Sequence, residues 1–218
     1  MTDPMTDTRT APEPTTRRPL ALPVLTAVGV LAGVAAKVAD ETHWGWAADL
    51  GSFPAAWVLT VALLGRFAPS WRAAALRSAV FFAAMSIAYY AWAAEVLDFG
   101  WDRRLLGEWL VMSLTAVPAS ALAAWWASRR AGVLPGALLA GLAAIAFGGG
   151  VVRQQLGIWT GSQPYLMAQP VQAAVDIVVA LVLVLALPQH WRTRLWAMAL
   201  TVPVVWLMWT FDVMRQTP

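Results

Sequence analysis

Long apolar runs, separated by short charged or proline-containing segments, are the main pattern along the chain. A membrane-spanning helix needs about 20 consecutive apolar residues. By this criterion the pattern predicts seven transmembrane helices, at residues 20–39, 54–67, 73–94, 105–127, 131–152, 171–187 and 195–211. The second run is short for a bilayer, so residues 44–53 are expected to complete its crossing as a re-entrant or broken piece. Near the end of the fifth run, the triplet 148–150 permits close helix approach or a break. We expect an all-α, polytopic helical membrane protein.

The two ends of the chain differ from its apolar middle. Residues 1–18 are rich in Thr, Pro and Asp and lack aromatics, which predicts a disordered cytoplasmic tail. Residues 19–213 form the predicted transmembrane domain, and residues 214–218 form a short C-terminal tail. Arg17 and Arg18 before the first run also fit a cleaved signal peptide. That run is long for a signal sequence, so we favour an uncleaved first span.

Composition strengthens the membrane interpretation. The 218 residues are 60% hydrophobic and 12% charged, whereas soluble domains average about 45–50% apolar and about 25% charged residues. The chain has no cysteine, which excludes disulfides, thiolate metal sites and cysteine nucleophiles. The net charge of +3 comes from arginines beside apolar runs, so we interpret these arginines as topology signals and expect no nucleic-acid partner.

The distribution of the 15 basic residues predicts an orientation. Cytoplasmic segments of bacterial membrane proteins carry an excess of Lys and Arg. With the N-terminus inside, ten basic residues are cytoplasmic and five are outside. The cytoplasmic ten are Arg9, Arg17, Arg18, Arg66, Arg72, Arg77, Arg129, Arg130, Arg192 and Arg194. We therefore predict a cytoplasmic N-terminus and an external C-terminus.

Three short motifs occur twice in the same order, which suggests an internal duplication. The motif pairs are 51–54 with 161–164, 69–72 with 188–192, and 92–96 with 209–213. Spans 1–3 and 5–7 would then be parallel repeats joined by span 4, a 3+1+3 plan of the kind found among transporters. The alternative is coincidence, because Trp, Arg and Gly-Ser-x-Pro are common at membrane borders.

Nine of the 12 acidic residues map to the outer side, and one group of charges stands out. Lys37 is the only lysine, and its spacing places it on one helix face with Asp40 and Glu41. Our functional hypothesis is an outward-facing polar cavity, lined by Lys37, Asp40, Asp49 and Asp176, that takes a small polar solute, a cation or a proton. The alternative is ordinary topology, with acids outside and an interfacial ion pair at the helix end.

Ser52 and Tyr90 complete the candidate ligand site, and Asp176 carries an expectation of its own. Asp176 lies inside span 6, where a charge is costly, so we expect it to face the interior with Arg153 or Lys37 as its partner. Ser52 precedes a proline and resembles an N-cap, whose free amides suit an anion or a carbonyl group. Tyr90, in the outer half of span 3, has a hydroxyl that serves either a cavity or the interface.

No catalytic constellation is visible. His43 and His190 fall on opposite sides of the membrane, so they cannot form a two-histidine metal or haem site within one subunit. Ser162 follows a glycine but has no histidine on a nearby span, which argues against a serine–histidine dyad. We therefore expect no enzyme activity, no metal and no cofactor. The expected partners are the lipid bilayer and a small solute; the alternative function is a structural or assembly role with another membrane protein, or in a homo-oligomer.

One stretch resembles a known family. Residues 31–64 contain Gly33, Lys37-Val38-Ala39-Asp40, Trp44-Gly45-Trp46 and the segment 49–58, Asp-Leu-Gly-Ser-Phe-Pro-Ala-Ala-Trp-Val. These residues resemble an uncharacterised family of actinobacterial multi-pass membrane proteins, a domain of unknown function. The resemblance implies a location in the bacterial cytoplasmic membrane. It implies no activity, substrate or catalytic residue.

Overall fold

The computed structural model describes residues 21–42, 44–52, 54–162 and 168–216, and within these ranges the chain is helical with no strand. The predicted tail, residues 1–18, lies outside them. The helices are α1 (Ala21–Asp40), α2 (Gly45–Ser52), α3 (Pro54–Arg66), α4 (Trp71–Glu95), α5 (Arg103–Leu114), α6 (Ala116–Ala127), α7 (Val133–Ala146), α8 (Val151–Trp159), α9 (Pro170–Leu181) and α10 (Trp191–Gln216). A π-helical turn, Val182–Ala186, directly follows α9. The predicted all-α class is confirmed.

Several helices have the length and apolar character of membrane spans. Within the described ranges four qualify, Leu22–Asp40, Trp71–Glu95, Arg103–Ala127 and Trp191–Phe211, and α7 with α8 makes a fifth if that bent pair is one span. The helix α3 has 13 residues, which cover about 20 Å of a hydrocarbon core about 30 Å thick. The structure therefore supports membrane insertion. Among the described residues, helices occupy most of each of the seven predicted runs, but a count of seven spans stays a prediction.

The fifth predicted span is interrupted. The helix α7 ends at Ala146, α8 begins at Val151, and the two are bent by 67°. Gly150 has a φ of +70°, a left-handed conformation that glycine adopts without steric cost. The amide of Gly150 donates to the Phe147 carbonyl at 3.0 Å, which closes the turn between the helices. The glycine triplet thus forms a break and not an uninterrupted span.

Glycines let three helix pairs approach closely. The pairs are α1 with α4, α3 with α6, and α7 with α10. A Cβ atom at Gly33 would lie 2.1 Å from the carbonyl oxygen of Met85, and one at Gly65 would lie 2.2 Å from that of Ala121. At Gly136 the nearest side-chain atom of α10 would be 2.5 Å away. Close backbone approach at small residues is the usual packing of membrane helices.

Alanine dominates the interior, and large apolar side chains cover the outside. The main core cluster lies among α3, α6, α7, α9 and α10, and its fully buried members include Ala55, Ala124 and Ala143. By contrast, Val202 and Trp206 on α10 are exposed. Such an apolar exterior suits contact with lipid tails, which provide an apolar solvent for these surfaces.

Arginine side chains close the end of the bundle where α3 and α6 finish. Arg129 donates from Nη2 to the carbonyls of Arg66 and Ala68, at 2.8 and 2.9 Å, and from Nη1 to that of Trp125, at 2.7 Å. Arg66 donates from Nε to the Leu187 carbonyl at 3.2 Å. One guanidinium therefore ties the α3–α4 connection to the end of α6, and a second ties α3 to the segment before α10.

The loops at the same end are also joined to one another. The Thr193 hydroxyl donates to the Arg130 carbonyl at 2.6 Å and accepts from the Gly132 amide at 3.3 Å. The Gln189 amide donates to the Ser128 carbonyl at 2.9 Å. These contacts bind the start of α10 to the α6–α7 connection, so this basic end is tightly connected.

Candidate functional site

A cavity of about 590 Å³ lies at the opposite half of the bundle. We call it the aromatic cavity. The C-terminal halves of α1 and α4, the N-terminal half of α3, the helices α5 and α6, and the last turn of α7 form its walls. Its lining residues are Ala36, Asp40, Pro54, Trp57, Val58, Val61, Phe82, Met85, Ser86, Tyr89, Tyr90, Trp109, Met112, Ala116, Val117, Ser120 and Ile145. Most of this surface is apolar, with a few polar groups at defined positions.

Charged and hydroxyl groups from α1 and α4 form the polar end of the cavity. The Tyr89 hydroxyl donates to Asp40 Oδ2 at 2.5 Å. One turn earlier on α1, Lys37 pairs with Glu41, and Nζ lies 2.6 Å from Oε1. The Tyr90 ring packs edge-on against Tyr89, with centroids 5.2 Å apart. Lys37, Asp40 and Glu41 together carry one positive and two negative charges, so these three residues contribute a net negative charge to this end of the cavity.

Aromatic packing buries the one lysine of the chain. Lys37 is only 8% exposed, and Nζ lies 5.3 Å from the centroid of Tyr89 and 4.9 Å from that of Phe99. Ring faces carry negative charge density and attract an ammonium group. The ion pair with Glu41 and these two rings surround the charge. Lys37 therefore shapes the polar end without lining the cavity itself.

Close packing of α1 on α4 makes the Asp40–Tyr89 contact possible. These residues are 49 positions apart in the chain. A Cβ at Gly33 would lie 3.0 Å from the Tyr89 amide nitrogen as well as clashing with Met85. The absence of a side chain at Gly33 thus brings α4 next to α1 about two turns before Asp40. The local sequence on each helix then sets which groups meet.

Aromatic rings from three helices build one wall of the cavity. Trp57 on α3 meets Phe82 on α4 edge-on, with centroids 6.5 Å apart, and Phe82 lies 6.2 Å from Trp109 on α5. Phe82 is only 4% exposed, so Trp57 and Trp109 provide the open ring surfaces. Such rings bind apolar groups and, through their faces, cations.

The other predicted site residues lie elsewhere. Asp49 accepts a hydrogen bond from Gln169 Nε2 at 3.1 Å, which links α2 to the start of α9. Asp176 is fully buried and accepts from Gln172 Nε2 at 2.6 Å. Its hydrogen-bond partner is thus Gln172, and not the predicted Arg153 or Lys37. The side chain of Ser52 lies outside the described residues. The structure brings Asp40 and Tyr90 together at one cavity and places Lys37 beside them.

Comparison with known proteins identifies the family to which the chain belongs. The family model of DUF6518, described as a family of unknown function, matches residues 12–215. The chain belongs to the DUF6518 family. Membership confirms the resemblance to an uncharacterised family, while an actinobacterial origin stays a prediction. No match was found among curated proteins or among solved structures.

Membership in DUF6518 assigns no chemistry, so the site rests on geometry. Sequence reasoning did not select Trp57, Phe82 or Trp109 as cavity residues. A usable signal was present on α4, where Phe82, Ser86 and Tyr89 recur at helical spacing and therefore share a face. No group of three or more His, Cys, Asp or Glu side chains that could hold a metal ion is found in the described part of the chain.

Proposed function

We propose that the protein is a small transporter that binds an amphipathic organic cation in the aromatic cavity. One observation supports this proposal most strongly. The same cavity contains a negatively charged polar end, with Asp40 and Tyr89, and an aromatic wall. The proposal includes seven spans, a cytoplasmic N-terminus, an external C-terminus and a place in the bacterial cytoplasmic membrane.

The size and the lining of the cavity support a small-molecule ligand. Binding sites for such ligands typically measure about 300–1,000 Å³ and combine apolar walls with a few polar groups. A volume of about 590 Å³ falls within that range. The Ser86 hydroxyl already donates to the Phe82 carbonyl of its own helix, at 2.9 Å. The groups that would orient a ligand are therefore mainly Asp40, Tyr89 and Tyr90.

The charge of the polar end supports a cation and not an anion. Lys37 is already paired with Glu41 at 2.6 Å and enclosed by two rings. An anion would have to displace that pair and would meet the Asp40 carboxylate. A cation would meet the carboxylate and also the rings of Trp57 and Trp109, which line the same cavity and can attract positive charge.

The position of the cavity supports outward access. The hydrogen-bonded basic end lies at the other end of α3 and α4, and the excess of arginines there favours a cytoplasmic location. The cavity lies toward the C-terminal ends of α1 and α4. The pairing of α1 with α4 and of α7 with α10 is consistent with a 3+1+3 plan, since it joins the first and third spans of each predicted repeat.

Uptake by proteoliposomes tests the transport proposal. The probe is radiolabelled (4-phenylbutyl)trimethylammonium, a permanent cation that crosses lipid poorly. We expect saturable uptake by the wild type and its loss in Asp40→Asn, which removes the charge but keeps a similar shape. Asp49→Asn is the matched control, because Asp49 contacts Gln169 outside the cavity. Binding without uptake would contradict transport and would favour a binding or assembly role.

A further inference from the structure

Two packed helices outside the aromatic cavity, α8 and α9, carry three buried polar side chains, which we call the polar cluster. Asp176 and Gln172 on α9 are 0% and 1% exposed, and Gln155 on α8 is 4% exposed. The helix α8 packs on α9, and its buried side chains are Val151 and Gln155. Three side chains with oxygen acceptors are thus buried on this pair of packed helices.

Each of these side chains has an oxygen without a donor among the described residues. Gln172 Nε2 donates to Asp176 Oδ1 at 2.6 Å. Asp176 Oδ2, Gln172 Oε1 and Gln155 Oε1 have no hydrogen-bond partner within the described ranges. Reversing the Gln172 amide would place its oxygen against the carboxylate, so the donation to Asp176 fixes its orientation. The cluster therefore has an excess of acceptors.

A carboxylate buried between packed helices requires compensation. Neither ion pair found in the described ranges includes Asp176; they join Lys37 to Glu41 and Arg104 to Glu108. A proton on Asp176 would neutralise its charge but would supply only one donor for three oxygens. A bound cation can be shared by all three, since amide and carboxylate oxygens are the ligands of hard cations.

We infer that Asp176 and Gln172 bind one alkali-metal cation, that Gln155 on the neighbouring helix α8 supplies a further oxygen, and that Na⁺ is the fitting probe. One carboxylate balances a single positive charge, whereas Ca²⁺ takes 6–8 oxygen ligands and usually several carboxylates. Zn²⁺ favours nitrogen and sulfur ligands, which this cluster lacks. The site is separate from the aromatic cavity, so it does not depend on the proposed organic ligand.

Two irregular segments on either side of the cluster are consistent with cation binding. The glycine break at 147–150 precedes α8, and the π-helical turn Val182–Ala186 follows α9. Broken helices provide ion sites in many transporters, and π-helical turns are frequent at functional sites. The cluster thus lies between two points where regular helix geometry is interrupted.

Two measurements on the purified protein test the inference. The first is the binding of radioactive Na⁺, and the second compares the thermal unfolding temperature in NaCl with that in choline chloride at equal ionic strength. We expect saturable binding of one Na⁺ per chain and a higher unfolding temperature in NaCl. Asp176→Asn should weaken Na⁺ binding by about tenfold or more. Gln155→Leu leaves the Asp176 carboxylate in place and has a similar side-chain volume. It should also weaken Na⁺ binding, and it remains informative if the Asp176 variant does not fold.

Two controls separate this site from the cavity. Asp49→Asn and Asp40→Asn should bind Na⁺ as the wild type does, because neither residue belongs to the cluster. No effect of Na⁺ on the wild type, or binding that survives in both Asp176→Asn and Gln155→Leu, would overturn the inference. A wild-type unfolding temperature that responds to pH and not to Na⁺ would also overturn it and would assign a proton to Asp176.

Discussion

Substitution of Gly33 by alanine tests how the fold builds the polar end of the cavity. The new Cβ would lie 2.1 Å from the Met85 carbonyl oxygen, and ordinary contact begins at 3.4 Å, so restoring ordinary contact requires α1 and α4 to separate locally by about 1.3 Å. If the same displacement reaches the Asp40–Tyr89 contact, its 2.5 Å distance increases to about 3.8 Å. That exceeds the range of an O–H···O hydrogen bond, which ends at about 3.0 Å.

The energetic consequence has two opposing parts. Alanine is the better helix former by roughly 0.8–1.0 kcal/mol, which alone would stabilise α1. Overpacking of a close contact costs about 1–3 kcal/mol, and loss of a hydrogen bond to a charged group costs about 1.5–3 kcal/mol. We expect Gly33→Ala to lower the free energy of unfolding by roughly 2–5 kcal/mol and to weaken cation binding by about tenfold.

The free energy of unfolding is measured in mixed micelles by titration with SDS, followed by circular dichroism. The affinity for the cation is measured by calorimetric titration. Gly141→Ala is the matched control, because a Cβ atom added to this glycine on α7 would have nothing within 4 Å. It should leave stability unchanged or raise it by up to about 1 kcal/mol. A Gly33→Ala variant that is as stable as the Gly141→Ala variant and binds the cation normally would refute the packing argument.

Three other predictions address the closed end, a strained turn and the topology. Arg129→Ala should lower the free energy of unfolding by about 2–4 kcal/mol in the same SDS titration, since three hydrogen bonds to carbonyl groups are lost. The control is Arg192→Ala, at the exposed start of α10, which should change it by less than about 0.5 kcal/mol. Asp98 has a φ of +57°, so Asp98→Gly should raise stability by up to about 1 kcal/mol in that assay; a clear loss would contradict the strain. Because the chain has no cysteine, an impermeant maleimide on intact cells should label Thr160→Cys and not Pro69→Cys, and the reverse pattern would invert the orientation.

The apolar runs predicted the helices well because a bilayer imposes a minimum hydrophobic length. The runs at 20–39 and 73–94 correspond closely to α1 and α4. Hydropathy carries no information about backbone direction, so it could not specify the 67° bend after α7. That bend depends on the left-handed φ of Gly150, a conformation that the glycine triplet permits and does not require.

The candidate site was only partly predictable from the sequence, because its contacts join distant segments. The spacing of Lys37 and Glu41 predicted a shared helix face, and the structure pairs them. The meeting of Asp40 with Tyr89 depends on how α1 packs on α4, which no local pattern records. The Gln172–Asp176 pair has helical spacing, but a buried carboxylate favours the expectation of a charged partner, whereas its partner in the structure is a neutral amide.

Calorimetric titration of the protein in lipid nanodiscs tests the central claim most directly. The ligands are three phenylbutyl compounds of similar size, a trimethylammonium cation, a neutral alcohol and a sulfonate anion, and empty nanodiscs provide the lipid background. We predict that the wild type binds the cation more tightly than the alcohol and does not bind the anion. In Asp40→Asn the cation affinity should fall by about thirtyfold or more, since loss of one partner of a desolvated charge pair costs roughly 2 kcal/mol or more. Equal affinity for all three compounds, or unchanged cation affinity in Asp40→Asn, would contradict the claim.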